Sequence, residues 1–149
     1  MVMKNNLTPE LKKVFKYIQD KLTTDYPTKV IGIEYFVVGV LDNEKCTAYQ
    51  IIDKTMLRNG KSSLKNDLTS HLKQETENTI NTEGFVPKFD DVYDKYLENL
   101  MGNSKNKINS AQLLLEILKN NRPLRNTFSL LGVNMGQLNN ALSSLNSET

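Results

Sequence analysis

Residues 31–41 read IGIEYFVVGVL, and residues 108–118 read INSAQLLLEIL, 77 positions further along the chain. The first stretch is apolar almost throughout, and a run of this length is typical of a buried strand and of a buried helix alike. The second stretch favours the helix. Asn109 followed by Gln112 has the pattern of a helix N-cap with its capping-box partner, and leucine favours helix over strand. Both stretches are therefore predicted to be helices.

A similar offset relates other parts of the two halves of the chain. Pro9 begins one periodic apolar segment and Pro87, 78 positions later, begins another. Thr8 is the predicted N-cap and Pro9 the predicted first residue of the first helix, because the hydroxyl accepts from an unpaired backbone N–H and proline has no N–H to leave unpaired. An internal repeat of about half the chain indicates one helical unit that occurs twice.

These patterns predict an all-α fold made of two pseudo-symmetric four-helix repeats, about eight helices in total. The repeats are expected to cover about 7–76 and 85–145 of a single domain, 1–149, with a polar linker at 77–84 between them.

The charge balance and the apolar pattern exclude several classes of protein. Nineteen Lys and Arg against seventeen Asp and Glu leave a net charge of +2, without the strong basic excess of a nucleic-acid-binding domain. No apolar run is long enough to cross a membrane, and no apolar segment near the start resembles a secretion signal. The expectation is a cytoplasmic protein without membrane or nucleic-acid partners, and its single cysteine forms no internal disulfide.

Few residues suggest catalysis. The chain has one histidine, His71, and one cysteine, Cys46, and it contains neither a phosphate-binding glycine loop nor a His/Cys metal motif. No catalytic residue, metal or cofactor is therefore predicted. One alternative is a small metal-dependent enzyme that uses Asp90, Asp91 and Asp94, although acidic residues in the first turn of a helix explain that cluster more simply. Cys46 is placed in the first turn of a helix, where a thiolate gains some stability, and is interpreted as a bystander.

The segments LTPEL at 7–11, IGIEYFVVGVL at 31–41, INSAQLLL at 108–115 and LLGV at 130–133 occur in the order and spacing of a known family. Over roughly residues 7–145 the chain resembles the N-terminal repeat domains of Clp-type AAA+ unfoldases. The resemblance implies a non-catalytic module that recruits unfolded or tagged substrates, or adaptor proteins, to an ATP-dependent unfoldase or protease. The ATPase would lie elsewhere in a longer chain or in a partner. The alternative is a free-standing adaptor or regulator of such an unfoldase.

The resemblance also implies which residues contact the partner. The family usually has Glu-His in the second helix of each repeat, whereas this chain has Glu34-Tyr35 in the first copy and Ala111-Gln112 in the second. In relatives that bind phosphoarginine, the paired glutamates hold the guanidinium group. The resemblance therefore implies at most one phosphoarginine site, near Glu34.

Four residues are candidates for contact with the substrate or partner: Thr8, Glu34, Tyr35 and Phe85. Each has a structural alternative. Capping accounts for Thr8, and the helix dipole for Glu34. The aromatic residues have two alternatives, an apolar groove where the repeats meet or the core. Core packing is favoured for Phe36 and Phe89, whereas both alternatives stay open for Tyr35 and Phe85.

Overall fold

The structure is a computed structural model that describes residues 6–78, 84, 86–102 and 107–147. Within these ranges most residues are helical and each strand has only two residues, which confirms the predicted all-α class. The helices are α1 (Pro9–Tyr17), α2 (Thr23–Asp25), α3 (Ile33–Leu41), α4 (Thr47–Thr55), α5 (Gly60–Asn78), α6 (Asp91–Gly102), α7 (Ser110–Asn120), α8 (Arg122–Leu130) and α9 (Met135–Ser147). A π-helical turn, Ile18–Leu22, joins α1 to α2 without a break. With α1 and α2 counted as one helix, the described ranges contain about the predicted eight.

The first helix begins as predicted. The hydroxyl of Thr8 accepts a hydrogen bond from the N–H of Leu11 at 3.4 Å, and Pro9 is the first helical residue. Val14 of α1 and Ile18 of the π-helical turn pack against α3, where a Cβ added at Gly39 would lie only 2.8 Å from Ile18 Cγ1. The close approach of the two helices therefore depends on glycine at position 39.

The two stretches related by the repeat are helices, α3 and α7, as predicted, and both are largely buried. Gly32 is the N-cap of α3, and seven consecutive residues of that helix, Tyr35–Leu41, are buried. In α7 the predicted capping box is present: Gln112 N–H donates to Asn109 Oδ1 at 2.8 Å, and Asn109 N–H donates to Gln112 Oε1 at 2.9 Å. Burial on every side explains why the apolar run of α3 carries no amphipathic signal.

Two short parallel pairings connect the halves of the chain. Leu7 pairs with Ile108, and strand β1 (Val30–Ile31) pairs with strand β2 (Lys88–Phe89). The segment before α1 thus pairs with the segment before α7, and the segment before α6 pairs with the segment before α3. These strands are too short to be detected from residue periodicity. One cluster of buried apolar residues includes side chains from both halves.

The start of α6 differs from the prediction. Pro87 precedes β2, and α6 begins four residues later, at Asp91. Asp90 N–H donates to Ile31 O at 3.0 Å, just as Thr8 N–H donates to Ile108 O at 2.9 Å, so Asp90 and not Val86 corresponds to Thr8. A shift of four residues is close to one helical turn, and it leaves the apolar face nearly unchanged. For this reason the periodicity placed the helix one turn too early.

The predicted linker also begins inside a helix. Helix α5 continues to Asn78, two residues into the predicted linker at 77–84. The Thr76 hydroxyl near its end donates to Leu72 O at 2.9 Å. Apart from Gly84, the rest of the predicted linker lies outside the described residues.

Candidate functional site

A groove of about 740 Å³ lies between α1 and the chain that leads through β2 into α6. We call it the α1–β2 groove. Its walls come from both halves of the sequence, and they combine apolar, basic and acidic side chains: Leu7, Lys12, Phe15, Lys16, Gln19, Val86, Pro87, Lys88, Phe89, Asp91 and Asp94.

Aromatic rings form the base of the α1–β2 groove. Phe89 lies edge-on to Phe15 and to Tyr93, with ring centroids 5.2 Å apart in both pairs. Tyr93 is fully buried and donates its hydroxyl to Gly32 O at 2.6 Å, and burial raises the pKa of this hydroxyl well above its usual value. Phe89 was expected in the core, but it is only partly buried and lines the groove. The hydrogen bond fixes Tyr93, and the ring contacts hold Phe89 between Tyr93 and Phe15, so the groove has a rigid apolar base.

Three lysines on the rim make the α1–β2 groove basic. Lys12 and Lys16 lie on α1, Lys88 lies on β2, and all three are exposed. None of them forms an ion pair within the described part of the chain. The two acids of the lining, Asp91 and Asp94, both lie in the first turn of α6, where the helix N-terminus stabilises negative charge.

Thr8, one of the predicted site residues, lies at the pairing of Leu7 with Ile108. Its hydroxyl caps α1 and also lies 3.1 Å from Glu10 Oε2, to which it donates. The capping role is therefore present, and a role in partner contact stays a prediction.

Glu34 lies at the other pairing, that of β1 with β2, in the first turn of α3. Its carboxylate forms no hydrogen bond or ion pair with any residue that the structure describes, and the side chain is partly exposed. A Cβ at Gly32 would lie 3.1 Å from Glu34 Oε2, so glycine at position 32 leaves room for the carboxylate. Thr8 and Glu34 thus belong to two different pairings.

Tyr35 is 4% exposed, and its hydroxyl donates to Tyr26 O at 2.7 Å. Its side chain has a packing role, and a direct contact with a partner stays a prediction. Phe85, the fourth predicted site residue, lies outside the described residues.

Sequence reasoning missed a polar network centred on Glu10. One carboxylate oxygen accepts from Thr47 N–H at 2.8 Å, from the Thr47 hydroxyl at 2.5 Å and from the Ser110 hydroxyl at 2.6 Å. The other oxygen accepts from Ser110 N–H at 3.1 Å and from the Thr8 hydroxyl. We call these four residues the Glu10 network.

The Glu10 network joins three helices. Thr47 is the first residue of α4 and Ser110 the first residue of α7, so the N-termini of both helices point at one carboxylate from α1. Unpaired N–H groups and helix dipoles both favour an anion at such a position. The local signal in LTPEL indicates only the cap, because the partners of Glu10 lie far away in the sequence.

Cys46 and His71 occupy structural positions. Cys46 is the buried N-cap of α4, and burial raises the pKa of its thiol, contrary to the thiolate stabilisation that its predicted position suggested. His71 is exposed on α5, with its Nε2 3.1 Å from Glu75 Oε1.

The hypothesis of an aspartate metal centre gains no geometric support. Among the described residues, no three His, Cys, Asp or Glu side chains are placed to hold a metal ion. Asp90 Oδ1 instead accepts from Val92 N–H at 2.9 Å, and Asp91 and Asp94 occupy the first turn of α6. In the same part of the chain, no helix combines the length and apolar character needed to span a bilayer.

The fold is similar to that of a solved structure, the N-domain of ClpV from Vibrio cholerae. The two structures superimpose with a TM-score of 0.63 and 16% sequence identity, over 97% of this chain and 87% of that chain. No family model and no curated protein matches the sequence. The likeness establishes an all-α fold of the Clp N-domain type.

Proposed function

We propose that this chain is a non-catalytic protein-binding module that brings substrate or adaptor proteins to a Clp-type ATP-dependent unfoldase. The similarity to a Clp N-domain supports the class of function. The sequence has no GxxxxGK[S/T] loop of its own, so in this proposal the ATPase is another part of a longer chain or a partner.

The α1–β2 groove is the observation that carries the proposal. Its base is aromatic, its rim is charged, and Val86 at its edge is 74% exposed. An apolar surface surrounded by polar groups binds apolar side chains of a partner and orients them through the rim. Because the groove is open and partly polar, the bound segment is expected to exchange readily, as delivery to an unfoldase requires.

The test is binding of fluorescein-labelled casein, an unfolded protein chain, measured by fluorescence anisotropy. Val86→Asp places a charge at the edge of the groove, and we expect it to weaken binding about tenfold, the effect of losing an apolar anchor of about 1.4 kcal/mol. Leu130→Asp is the matched control, because Leu130 is 84% exposed on α8, outside the groove lining. This variant should bind as the wild type does.

Equal binding of casein by the wild type and by Val86→Asp would mean that the partner site lies outside the groove. If neither casein nor a Clp-type unfoldase binds the wild-type protein, the proposed function is wrong. Circular dichroism of both variants establishes that they remain folded.

Glu34 is proposed as the single position for phosphoarginine. Its carboxylate is unpaired among the described residues, whereas Ala111 at the matching position of α7 has no carboxylate. The test is calorimetry with free phosphoarginine. We expect one site in the wild type and none in Glu34→Gln, which keeps the side-chain volume. Two equivalent sites, or an unchanged site in Glu34→Gln, would contradict this assignment and return Glu34 to its role at the helix dipole.

A further inference from the structure

On the edge of β2 that faces away from β1, two backbone groups have no hydrogen-bond partner among the described residues. Lys88 N–H donates to Lys29 O and Asp90 N–H donates to Ile31 O, each at 3.0 Å. Because successive residues of a strand direct their backbone groups to opposite edges, the N–H and C=O of Phe89 point away from β1. In the described part of the chain, no loop or cap hydrogen bond uses these two groups.

The corresponding edge of β1 is closed. Val30 N–H donates to Thr28 Oγ1 at 3.3 Å, and the Thr28 hydroxyl donates to Val30 O at 2.9 Å. A single threonine therefore satisfies the outward-facing groups of β1. Among the residues that the structure describes, the two-residue sheet thus has one closed edge and one open edge.

The open edge faces the α1–β2 groove. Residues 86–89 line the groove, whereas neither Val30 nor Ile31 of β1 does, so the groove lies on the β2 side of the sheet. Unpaired strand edges readily pair with another extended segment. The backbone N–H and C=O of Phe89 thus supply a donor and an acceptor along one wall of the groove.

The charges of the groove favour an acidic occupant. Lys12 and Lys16 from α1 and Lys88 from β2 lie on opposite walls, without ion-pair partners among the described residues. The acids Asp91 and Asp94 reduce the positive charge but leave a net basic lining. Complementary charge steers a partner to a surface and rejects partners of like charge.

We propose that the α1–β2 groove binds an extended acidic protein segment, which adds to the free edge of β2 as a third strand. This inference rests on the proposed function and names the chemistry of its partner. In an added strand, alternate side chains point to opposite faces. The best segment therefore alternates apolar side chains, which contact Phe15 and Phe89, with carboxylates that reach the lysines.

The test uses three synthetic octapeptides and the isotope-labelled protein. The first alternates valine with glutamate, the second has lysine in place of glutamate, and the third repeats the first with methylated backbone nitrogens on the edge that faces β2. We expect the first alone to bind, with amide chemical-shift changes at Lys88 and Phe89 and with weaker binding as ionic strength rises.

Charge-reversal variants test whether the lysines on the α1 wall of the groove contact the acidic peptide. Lys12→Glu and Lys16→Glu should each weaken the first peptide about fivefold or more, whereas Lys13→Glu should change its affinity by less than about twofold. Lys13 is a suitable control because it is also exposed on α1 but lies outside the lining of the α1–β2 groove.

Each other outcome overturns the inference. Equal binding of the methylated peptide excludes strand addition, and equal binding of the lysine peptide excludes the acidic preference. If a second copy of the chain occupies the edge, sedimentation shows a concentration-dependent dimer, and the inference is wrong. If none of the three peptides binds, but casein binds the wild type and binds Val86→Asp more weakly, this inference is rejected and the proposed function remains intact.

Discussion

Ser110 donates two hydrogen bonds to Glu10, from its hydroxyl at 2.6 Å and from its N–H at 3.1 Å, across 100 positions of sequence. Thr47 adds two more from the N-terminus of α4. Glu10 belongs to the first half of the chain and Ser110 to the second. A single carboxylate therefore links the two halves. It accepts from the backbone N–H groups that begin α4 and α7, which have no partner inside their own helices.

Glu10→Ala is expected to lower the free energy of unfolding by about 2–4 kcal/mol, because charge-assisted bonds are lost and donors of Ser110 and Thr47 are left unpaired. Urea denaturation followed by circular dichroism measures the change. Glu44→Ala is the control: Glu44 is an exposed neighbour of the same surface, and its loss should cost less than about 0.5 kcal/mol. Similar midpoints for both variants would contradict the importance of the Glu10 network.

Thr8→Ala is expected to cost about 1 kcal/mol of stability, the usual contribution of an N-cap hydroxyl, while Thr8→Ser retains most of it. Because the hydroxyl also donates to Glu10 Oε2, the effects of Thr8→Ala and Glu10→Ala should not add. A double-mutant cycle in urea measures their coupling. Strict additivity would mean that the Thr8 hydroxyl contributes only as a cap.

Gly39→Ala should destabilise the protein by about 1–3 kcal/mol, because the added methyl group meets Ile18 in a packed interface. Gly102→Ala is the matched change: a Cβ there meets no atom within 4 Å, and alanine favours the helix, so stability should stay equal or rise by up to about 1 kcal/mol. Thermal unfolding compares the two variants. A neutral Gly39→Ala would show that α1 and α3 separate without cost.

Stability should fall as the pH rises from about 10 to about 12. Burial raises the pKa of Tyr35 from its ordinary value of 10.0 to about 12. The unfolded chain loses this proton first, so the stabilising effect is complete below pH 10 and is lost as the pH passes through the folded value. Tyr35→Phe removes one titrating group, and its stability should fall less steeply in this range than that of the wild type. Identical slopes in urea titrations at these pH values would contradict the assignment.

The fold was largely predictable because the sequence pattern of its central helices occurs twice, at 31–41 and at 108–118. The capping box at Asn109 identifies α7, and the repeat carries that assignment to α3. The same periodicity misplaced α6, since a displacement of one turn preserves its apolar face and only the pairing of Ile31 with Phe89 fixes its start.

The candidate site was less predictable. Thr8 was identifiable from its local cap, and Glu34 from the resemblance, yet neither residue lines the α1–β2 groove. The groove depends on two-residue strands and on contacts between distant segments. Such contacts leave no periodic pattern in a single sequence. Lys12 and Lys16 have helical spacing on an exposed face, which by itself predicts only a solvated surface.

The crossed pairing of Leu7 with Ile108 and of Ile31 with Phe89 has a consequence for synthesis on the ribosome. When only the first half of the chain has emerged, Leu7 and Ile31 lack the segments with which they pair, and Glu10 lacks the two hydrogen bonds from Ser110. The start of α1 acquires its full set of contacts only after residue 110 leaves the exit tunnel. The nascent first half therefore has no assembled groove, because one wall of the α1–β2 groove comes from residues 86–94 of the second half.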